Sequence, residues 1–576
     1  MSRYPVPDSA PESVTGKSES LSQRPAAPWL WGVLLLAWLA LWFSGLNQRP
    51  LGEPDEGRYA EVAREMFASG NWLTPKLDGF NFFDKPALQY WASALFYDVF
   101  GVHEWTARLW VAITGLLAIL AVGWASKRLY GARTGWIAAL VLGSTLLFVA
   151  GAHINTMDMG VAAFLGIAIC LFLVAQFDPH AEQQRVRLNL LGWACLALAV
   201  LSKGLIGLVF PAITLMVFML WERDGSILRR MTMGWGMLVV LLIAAPWFMA
   251  ISFRHPGYFD YFFIKEHFSR FLTNVYDRDR PWWFFIPVVL FGLFPWVVFL
   301  PLSRSGWRDV HAGKRSERFL LCWIAVVFAF FSVSHSKLPL YILPIFPALA
   351  MLIARRISTL TVRALEWRFV WISVLAVVMA VIALTITFST RHLSQHTDMH
   401  PAQMWLMRGL GVLAIVSAIC AFMLARRYHP TTVVGLLGFA TLLVWQMLFA
   451  NVGILANNLS AVPVAKLMLP NMRADTEVFT VHAYLRGLSF YLQRLVTVAD
   501  ENPDDILAGA PSRPEGFVPS LDAFEMRWRA APDAIAVIDP HLLSRFRADR
   551  LPMLIVGTAP SGIVIKRPSP SEAATP

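Results

Sequence analysis

Two charged residues near the start of the chain are the first candidates for chemistry. Asp55 follows a proline and opens a helical pattern, and its carboxylate could activate an acceptor hydroxyl or support positive charge at a reacting carbon. Lys85 precedes Pro86, which suits the first position of a helix and so predicts Lys85 at the N-cap. Free backbone N–H groups and the helix dipole add to the ammonium charge there, and together they suit a phosphate. Each residue also has an ordinary structural interpretation, Asp55 as a helix cap and Lys85 as a lysine that reaches to the membrane interface.

Three further charged residues are expected close to the first two. Asp158 begins an apolar segment, Lys203 ends another before Gly204, and Lys337 closes the polar stretch Ser334–Lys337. Asp158 as a helix cap and Lys203-Gly204 as a common helix ending are the alternatives. All five charged residues map to the same membrane face once a topology is assigned, and such groups are costly beside lipid unless they pair or bind something. Their convergence favours a binding site.

The composition indicates an integral membrane protein. Of the 576 residues, 57% are hydrophobic and 15% are charged, and the mean hydropathy is +0.54. A soluble domain carries about 25% charged residues. The net charge is +11. We attribute it first to Lys and Arg in cytoplasmic loops, second to a surface that binds anionic lipid, and only as a distant third to a surface that binds nucleic acid. The four cysteines lie in apolar runs without paired spacing, so we expect core side chains without a disulfide or metal role: Cys170, Cys195, Cys322 and Cys420.

Long apolar segments predict an all-α polytopic bundle. A membrane span needs about 20 apolar residues. Thirteen segments qualify, near 28–46, 105–126, 134–152, 158–176, 188–202, 205–221, 233–252, 282–301, 319–334, 338–354, 368–388, 407–425 and 431–451. No small-residue cleavage site follows the first segment, so we expect it to stay in the protein as an anchor.

Basic connections set the orientation of this bundle. They all fall on one side, which predicts that this side and the N-terminus are cytoplasmic. They contain Lys127, Arg128 and Arg133; Arg185 and Arg187; Arg223, Arg229 and Arg230; Arg304, Arg308, Lys314, Arg315 and Arg318; Arg355 and Arg356; and Arg426 and Arg427. Three long outer loops follow, at 47–104, 253–281 and 389–406.

The odd number of spans places the C-terminal part outside. There the apolar runs Val478–Val481, Ala534–Ile538 and Met553–Val556 predict strands, and hence a small α/β domain. The predicted organisation is a disordered cytoplasmic tail over 1–26, a transmembrane domain over 27–456 and an outer soluble domain over 457–576.

The first outer loop contains two helical patterns that are too short to span. One pattern places Tyr59, Val62, Ala63, Met66 and Phe67 on one face, and the second places Leu88, Trp91, Leu95 and Val99 on one face. We expect both helices to lie in the plane of the membrane interface, with their apolar faces toward lipid or the bundle.

These same stretches resemble a known family. The segments Glu53–Ala60, Gly70–Pro75 and Phe83–Trp91 are similar to the bacterial 4-amino-4-deoxy-L-arabinose transferases that modify lipid A. That family belongs to a superfamily of integral-membrane glycosyltransferases of the GT-C type, which includes the protein O-mannosyltransferases. The resemblance covers nearly the whole chain, and its first-loop motif is more specific to the superfamily than to the sugar.

The resemblance implies a role for particular residues. Asp55 would be the essential first-loop carboxylate, with Asp158 as a second catalytic acid. Lys85 would bind the polyprenyl phosphate with the help of Arg270. The remaining residues implied to line the cavity are Arg58, Tyr59, Lys203 and Tyr341.

The resemblance also implies a divalent metal ion, such as zinc, and no other cofactor. In a relative the ion is held by residues that match Asp84 and His267. This sequence has Asp84 where the family has Glu, which shortens the reach to a metal, and Ala87 where a second proline is usual.

The implied reaction is sugar transfer from undecaprenyl phosphate to a lipid A phosphate at the periplasmic face of the bacterial inner membrane. The implied protein is a monomer that contacts membrane lipids and no nucleic acid, and its product would confer polymyxin resistance. Another sugar, or a protein or glycan acceptor, is the nearest alternative. A transporter or flippase is less favoured because the sequence has no internal repeat and its charged residues gather at one face.

Overall fold

A computed structural model of the protein describes residues 28–269, 280–300, 314–390, 400–451, 457–501, 503 and 509–568. Residues 41–576 cluster as one compact unit, which holds every site residue discussed below, and the described part of the preceding unit is helical. The tail predicted over 1–26 lies outside the described residues. The domain bounds given above stay a prediction.

Up to residue 451, the described part of the chain is built almost entirely from helices. They are α1 Pro28–Ser44, α2 Asp55–Ser69, α3 Leu88–Phe100, α4 Glu104–Tyr130, α5 Ala132–Ser144, α6 Leu146–Gly151, α7 Met157–Phe177, α8 Arg185–Lys203, α9 Ile206–Glu222, α10 Ser226–Arg230, α11 Met233–Arg254, α12 Phe285–Gly292, α13 Arg315–Val333, α14 Phe346–Thr359, α15 Val362–Thr390, α16 His400–Ala425 and α17 Pro430–Asn451. A π-helical segment, Asp260–Ser269, lies between α11 and α12.

Nine helical segments within the described residues are long and apolar enough to cross a membrane. Each of the thirteen predicted spans coincides with apolar helix, and the four that fall short of full length are α1, α9, the pair α5 and α6, and α12 with the turn Trp296–Phe299. Thr145 adopts an extended conformation that separates α5 from α6. Pro295 follows α12 and removes a backbone donor there. The chain is therefore a multi-pass membrane protein, as predicted.

The two short helices of the first loop lie in different environments. Helix α3 exposes Leu95 and Val99, as expected for a face turned toward lipid. Helix α2 is buried from Glu56 to Met66, and its apolar residues share a core with Ala107 of α4 and Met157 of α7, so the predicted contact with the bundle is present. The same core also contains residues of α3 and of the C-terminal domain, a contact that the sequence did not predict.

The C-terminal residues form a six-stranded sheet with helices, as the predicted α/β domain requires. The first loop contains a hairpin of two short strands, β1 Lys76–Leu77 and β2 Phe80–Asn81. The C-terminal sheet consists of β3 Glu477–Val481, β4 Thr497–Ala499, β5 Phe517–Val518, β6 Ala534–Ile538, β7 Leu554–Ala559 and β8 Gly562–Lys566. The order is β5-β4-β3-β6-β8-β7, parallel from β5 to β6 and antiparallel at β8 and β7. The accompanying helices are α18 Val462–Met468, α19 Leu488–Leu492, α20 Leu521–Ala530 and α21 Leu542–Ala548.

One hydrophobic core joins the first loop to this domain. Tyr59 of α2 and Tyr97 of α3 share it with Leu488 and Phe490 of α19, and the ring centroids of Tyr97 and Phe490 are 6.3 Å apart. Burial of large aromatic and aliphatic side chains stabilises such a contact by about 1.5–3 kcal/mol per side chain. The first loop is therefore held by the C-terminal domain.

A buried polar cluster crosses the same contact. Carboxylate oxygens of Glu61, Glu65 and Asp78 lie within 4.8 Å of one another. Asp78 accepts a hydrogen bond from the Tyr484 hydroxyl at 2.6 Å, and Arg64 pairs with Glu61 at 2.6 Å. The cluster thus supplies partners for its own charges and ties the β1–β2 turn to the C-terminal domain.

Candidate active site in the first outer loop

Asp55 is the first residue of α2. Pro54 occupies the N-cap, and the Asp55 carboxylate pairs with the guanidinium of Arg58 one turn later. The interpretation of Asp55 as the helix cap is therefore wrong, because the preceding proline takes that position. About a third of the Asp55 side chain, 35%, stays exposed. A carboxylate in this setting can meet a substrate.

Arg58 and Tyr59 complete the first turn. The Arg58 guanidinium carbon lies 5.1 Å from the centre of the Tyr59 ring and 5.8 Å from that of Phe82. Tyr59 is buried, and its ring centroid lies 6.2 Å from that of Tyr90 on α3. Guanidinium–aromatic contacts of this kind fix the direction of the charged group. Arg58 is thereby aimed at Asp55.

Glu56 fixes the first turn of α2 to the neighbouring helices, and the sequence did not predict a role for it. Its carboxylate accepts hydrogen bonds from Arg108 Nε at 2.8 Å and from the backbone N–H of Asn155 at 2.9 Å, and it also forms an ion pair with Arg49. Burial alone raises the pKa of Glu56, but the guanidinium groups of Arg108 and Arg49 hold that pKa well below its usual range. The start of α2 is therefore locked to α4 and to the segment before α7.

Lys85 is not at a helix N-cap, so that part of the prediction is wrong. Helix α3 begins at Leu88, and its N-cap is Ala87. The Lys85 ammonium group donates to the Asp84 carbonyl oxygen at 2.8 Å and lies 3.3 Å from the Glu266 carboxylate. A carboxylate that the sequence did not identify thus positions the ammonium group.

Asp84 shares this part of the site. Its Oδ1 accepts a hydrogen bond from the Tyr261 hydroxyl at 2.7 Å. Burial raises the pKa of the Asp84 carboxyl, and the nearby Glu266 carboxylate acts in the same direction, against the charges of Lys85 and Arg58. The His267 side chain and all of Arg270 lie outside the described residues. The metal pair of Asp84 with His267, and the help that Arg270 would give to Lys85, stay predictions.

Asp158 and Lys203 form a second part of the site. Asp158 lies in the first turn of α7 and pairs with Lys203, the last residue of α8. The Lys203 ammonium nitrogen lies 4.1 Å from the centre of the Tyr341 ring. Gly204 has a φ of +95° and ends α8, so the helix-ending interpretation of Lys203 is also correct. Three residues predicted to line one cavity, far apart in sequence, are in contact.

Charges from both parts of the site act on Tyr59. Burial raises the pKa of its phenol, and the positive charge of Arg58 opposes this, while Asp55, Asp158 and Asp84 are all close enough to raise it further. Lys337, the fifth charged residue, is buried and donates to the Ser334 carbonyl oxygen. The structure thus brings most of the predicted site residues around the start of α2.

The C-terminal residues and part of the membrane region match two family descriptions. Residues 464–567 match the aminoarabinose transferase C-terminal domain, and residues 84–249 match the dolichyl-phosphate-mannose-protein mannosyltransferase family. The fold is similar to a crystal structure of ArnT from Cupriavidus metallidurans bound to undecaprenyl phosphate. The TM-score is 0.87 at 29% identity, over 94% of this chain and 98% of that one. The chain is similar to the aminoarabinose transferase family, both in its C-terminal domain and in its overall fold.

Curated relatives show the same similarity. An undecaprenyl phosphate-alpha-4-amino-4-deoxy-L-arabinose arabinosyl transferase of Aeromonas salmonicida is 34% identical over 323 residues, which is 56% of this chain and 58% of that protein. One from Sodalis glossinidius is 36% identical over 340 residues, 58% of this chain and 59% of that protein. The chain therefore spans less than two thirds of the length of these relatives. The archaeal oligosaccharyltransferase AglB from Archaeoglobus fulgidus shares only the fold, with a TM-score of 0.50 at 13% identity.

Proposed function

We propose that this protein is a glycosyltransferase that moves 4-amino-4-deoxy-L-arabinose from undecaprenyl phosphate to a phosphate of lipid A. One observation carries the proposal: the fold matches, over 94% of the chain, a family member that was crystallised with undecaprenyl phosphate. The charged groups around α2 have the chemistry that such a transfer needs.

The leaving phosphate is the first requirement. When the bond between the anomeric carbon and the phosphate oxygen breaks, the electron pair stays on that oxygen. Lys85 is mostly buried, with 11% of its side chain exposed, and it is oriented by Glu266. A pre-oriented cation in a site of low polarity stabilises such developing charge more than a solvated one does. Lys85 is therefore assigned to the phosphate of the carrier lipid.

The acceptor and the sugar are the second requirement. A lipid A phosphate is already ionised, so its oxygen can form the new bond to the anomeric carbon without a base. Arg58 engages one oxygen of Asp55, which leaves the other oxygen for the substrate. Asp55 then supports positive charge at the sugar, and Asp158 is placed to pair with the amino group of an aminosugar. For a hydroxyl acceptor, Asp55 would act as the base.

The site also offers oxygen donors to a divalent metal ion. The Asp84 carboxylate, beside Glu266 and Tyr261, has oxygen donors that a divalent ion such as zinc accepts. If one binds, Asp84 and His267 would hold it, and it would supply positive charge near the phosphate.

The first prediction tests the transfer itself. Lipid A from a host that expresses this gene is expected to carry the added aminosugar, and lipid A from the matched empty-vector strain is not. Mass spectrometry of purified lipid A measures the difference, and polymyxin resistance should rise with it. If the sugar is found on a protein or on another glycan and not on lipid A, the alternative acceptors are favoured. If lipid moves across the membrane and no new glycosidic bond forms, a flippase is favoured.

The second prediction concerns location. We place the protein in the bacterial inner membrane, with the N-terminus in the cytoplasm and the C-terminal domain in the periplasm. A reporter that is active only outside the cytoplasm should be active when fused after Ser460 and inactive when fused within 308–318. The reverse pattern would contradict the proposed face for Asp55, Lys85 and Asp158.

A further inference from the structure

The start of α2 is held by two backbone donors from the C-terminal domain. One oxygen of Glu53 accepts the N–H of Arg486 at 3.0 Å, and the other accepts the N–H of Gly487 at 2.7 Å. The backbone N–H of Glu53 in turn donates to the Leu459 carbonyl oxygen at 2.8 Å. Hydrogen bonds between a carboxylate and backbone N–H groups are among the stronger ones in proteins. Glu53 is thus tied to the C-terminal domain through both of its oxygens.

Two glycines bring the backbones together at the same place. A Cβ atom on Gly57 would lie 2.7 Å from Gly487 Cα and 2.8 Å from Gly487 N. A Cβ atom on Gly487 would lie 2.7 Å from Glu53 Oε1 and 3.0 Å from Gly57 Cα. Neither position has room for a side chain, and the neighbouring atoms are backbone or a bound carboxylate. The contact therefore requires glycine on both sides.

Asp55 lies between the two residues that are held. Glu53 and Gly57 flank it, and both contact Gly487. Just before them, the Leu51 N–H donates to the Tyr491 hydroxyl at 2.8 Å. The position of the Asp55 carboxylate consequently depends on a turn of the C-terminal domain more than 400 residues later.

We propose that Glu53 is a positioning residue through which the C-terminal domain sets the place of Asp55 for sugar transfer. The proposal rests on the transfer reaction proposed above. The described residues of the C-terminal domain contribute no group to the charged site. Under this proposal the domain still affects the reaction, because it positions Asp55. A displacement of about 1 Å at a reacting group can cost about 10²-fold in rate.

The test compares Glu53→Gln with Glu501→Gln in the full-length protein in lipid nanodiscs. Glutamine keeps the shape of Glu53 but turns an N–H donor toward one of the two backbone donors. Glu501 is the matched control, because its carboxylate also accepts a backbone N–H of the C-terminal domain, that of Tyr484 at 2.9 Å, but it does so from within that domain and not from the first loop. We expect Glu53→Gln to lower kcat by about 10-fold or more with a KM for the carrier lipid within about 2-fold of wild type. Glu501→Gln should keep near wild-type kcat.

A double-mutant cycle and hydrogen exchange make the result decisive. Gly487→Ala should lower kcat in the same way, and combining it with Glu53→Gln should add little, since both variants release the same contact. Amide exchange in the peptide 51–60 should rise in Glu53→Gln and not in Glu501→Gln. An unchanged kcat in Glu53→Gln despite faster exchange, or an equal loss of kcat in Glu501→Gln, would overturn the proposal. If the wild-type protein transfers no sugar, the proposed function fails, and unchanged exchange in Glu53→Gln would independently refute the positioning contact.

Discussion

Replacing Lys85 with alanine is expected to lower sugar transfer by about 10²–10³-fold, the cost of removing one donor that stabilises charge in a transition state. The ammonium group lies 3.3 Å from the Glu266 carboxylate and donates to the Asp84 carbonyl oxygen at 2.8 Å, so its position is set before substrate binds. Because the charge acts on the phosphate, binding of undecaprenyl phosphate should weaken as well. A transfer assay with a purified donor and a titration of the carrier lipid measure the two effects.

A nearby lysine provides the control. Lys265 is exposed, and its ammonium nitrogen lies 5.1 Å from the centre of the Tyr261 ring, so Lys265→Ala removes a similar charge close to the site. That variant should keep both transfer and lipid binding. Normal transfer by Lys85→Ala, with the protein folded, would refute the phosphate assignment and leave Lys85 as an interfacial lysine.

The sequence predicts the membrane bundle well because hydrophobicity is a local signal. A run of apolar residues that can cross the hydrocarbon must form a helix, since lipid offers its backbone no hydrogen-bond partner. All thirteen predicted spans accordingly coincide with helix. In the C-terminal domain, the longer apolar runs reveal β3, β6 and β7. The short strands β4 and β5 have only three and two residues, which is too few for a pattern.

The partners of the site residues are not local and escape such reasoning. Lys85 and Glu266 are 181 residues apart, and Lys203 and Asp158 are 45 residues apart. The sequence marked Lys85, Lys203 and Asp158 as charges that need a partner, but only packing selects which groups meet. Glu53 and Glu56 lie in the segment Glu53–Ala60, but the sequence assigns them no role, and their importance comes from contacts with Gly487 and Arg108.

Replacing Asp55 with asparagine is expected to lower transfer by about 10²-fold or more, the range for a positioned carboxylate that acts on the reaction. Pro54 occupies the N-cap, so the variant removes no helix cap. The asparagine oxygen can still accept from Arg58, and the fold should be preserved. The transfer rate and the midpoint of thermal unfolding are measured together. Asp178→Asn is the matched control, because Asp178 also pairs with an arginine, Arg128 at 2.6 Å, but lies on the opposite side of the predicted membrane.

The pH dependence of the Asp55→Asn variant separates the two roles open to the carboxylate. If Asp55 supports positive charge at the sugar, the rate should fall by a similar factor across the pH range, because no proton moves to or from the carboxylate. If Asp55 is a general base toward a hydroxyl acceptor, the loss should shrink as pH rises, because hydroxide can then replace the base. With a phosphate acceptor we expect the first pattern. If Asp55→Asn and Asp178→Asn both transfer sugar at nearly the wild-type rate, Asp55 has no part in the mechanism. Its pair with Arg58 would then be a structural contact.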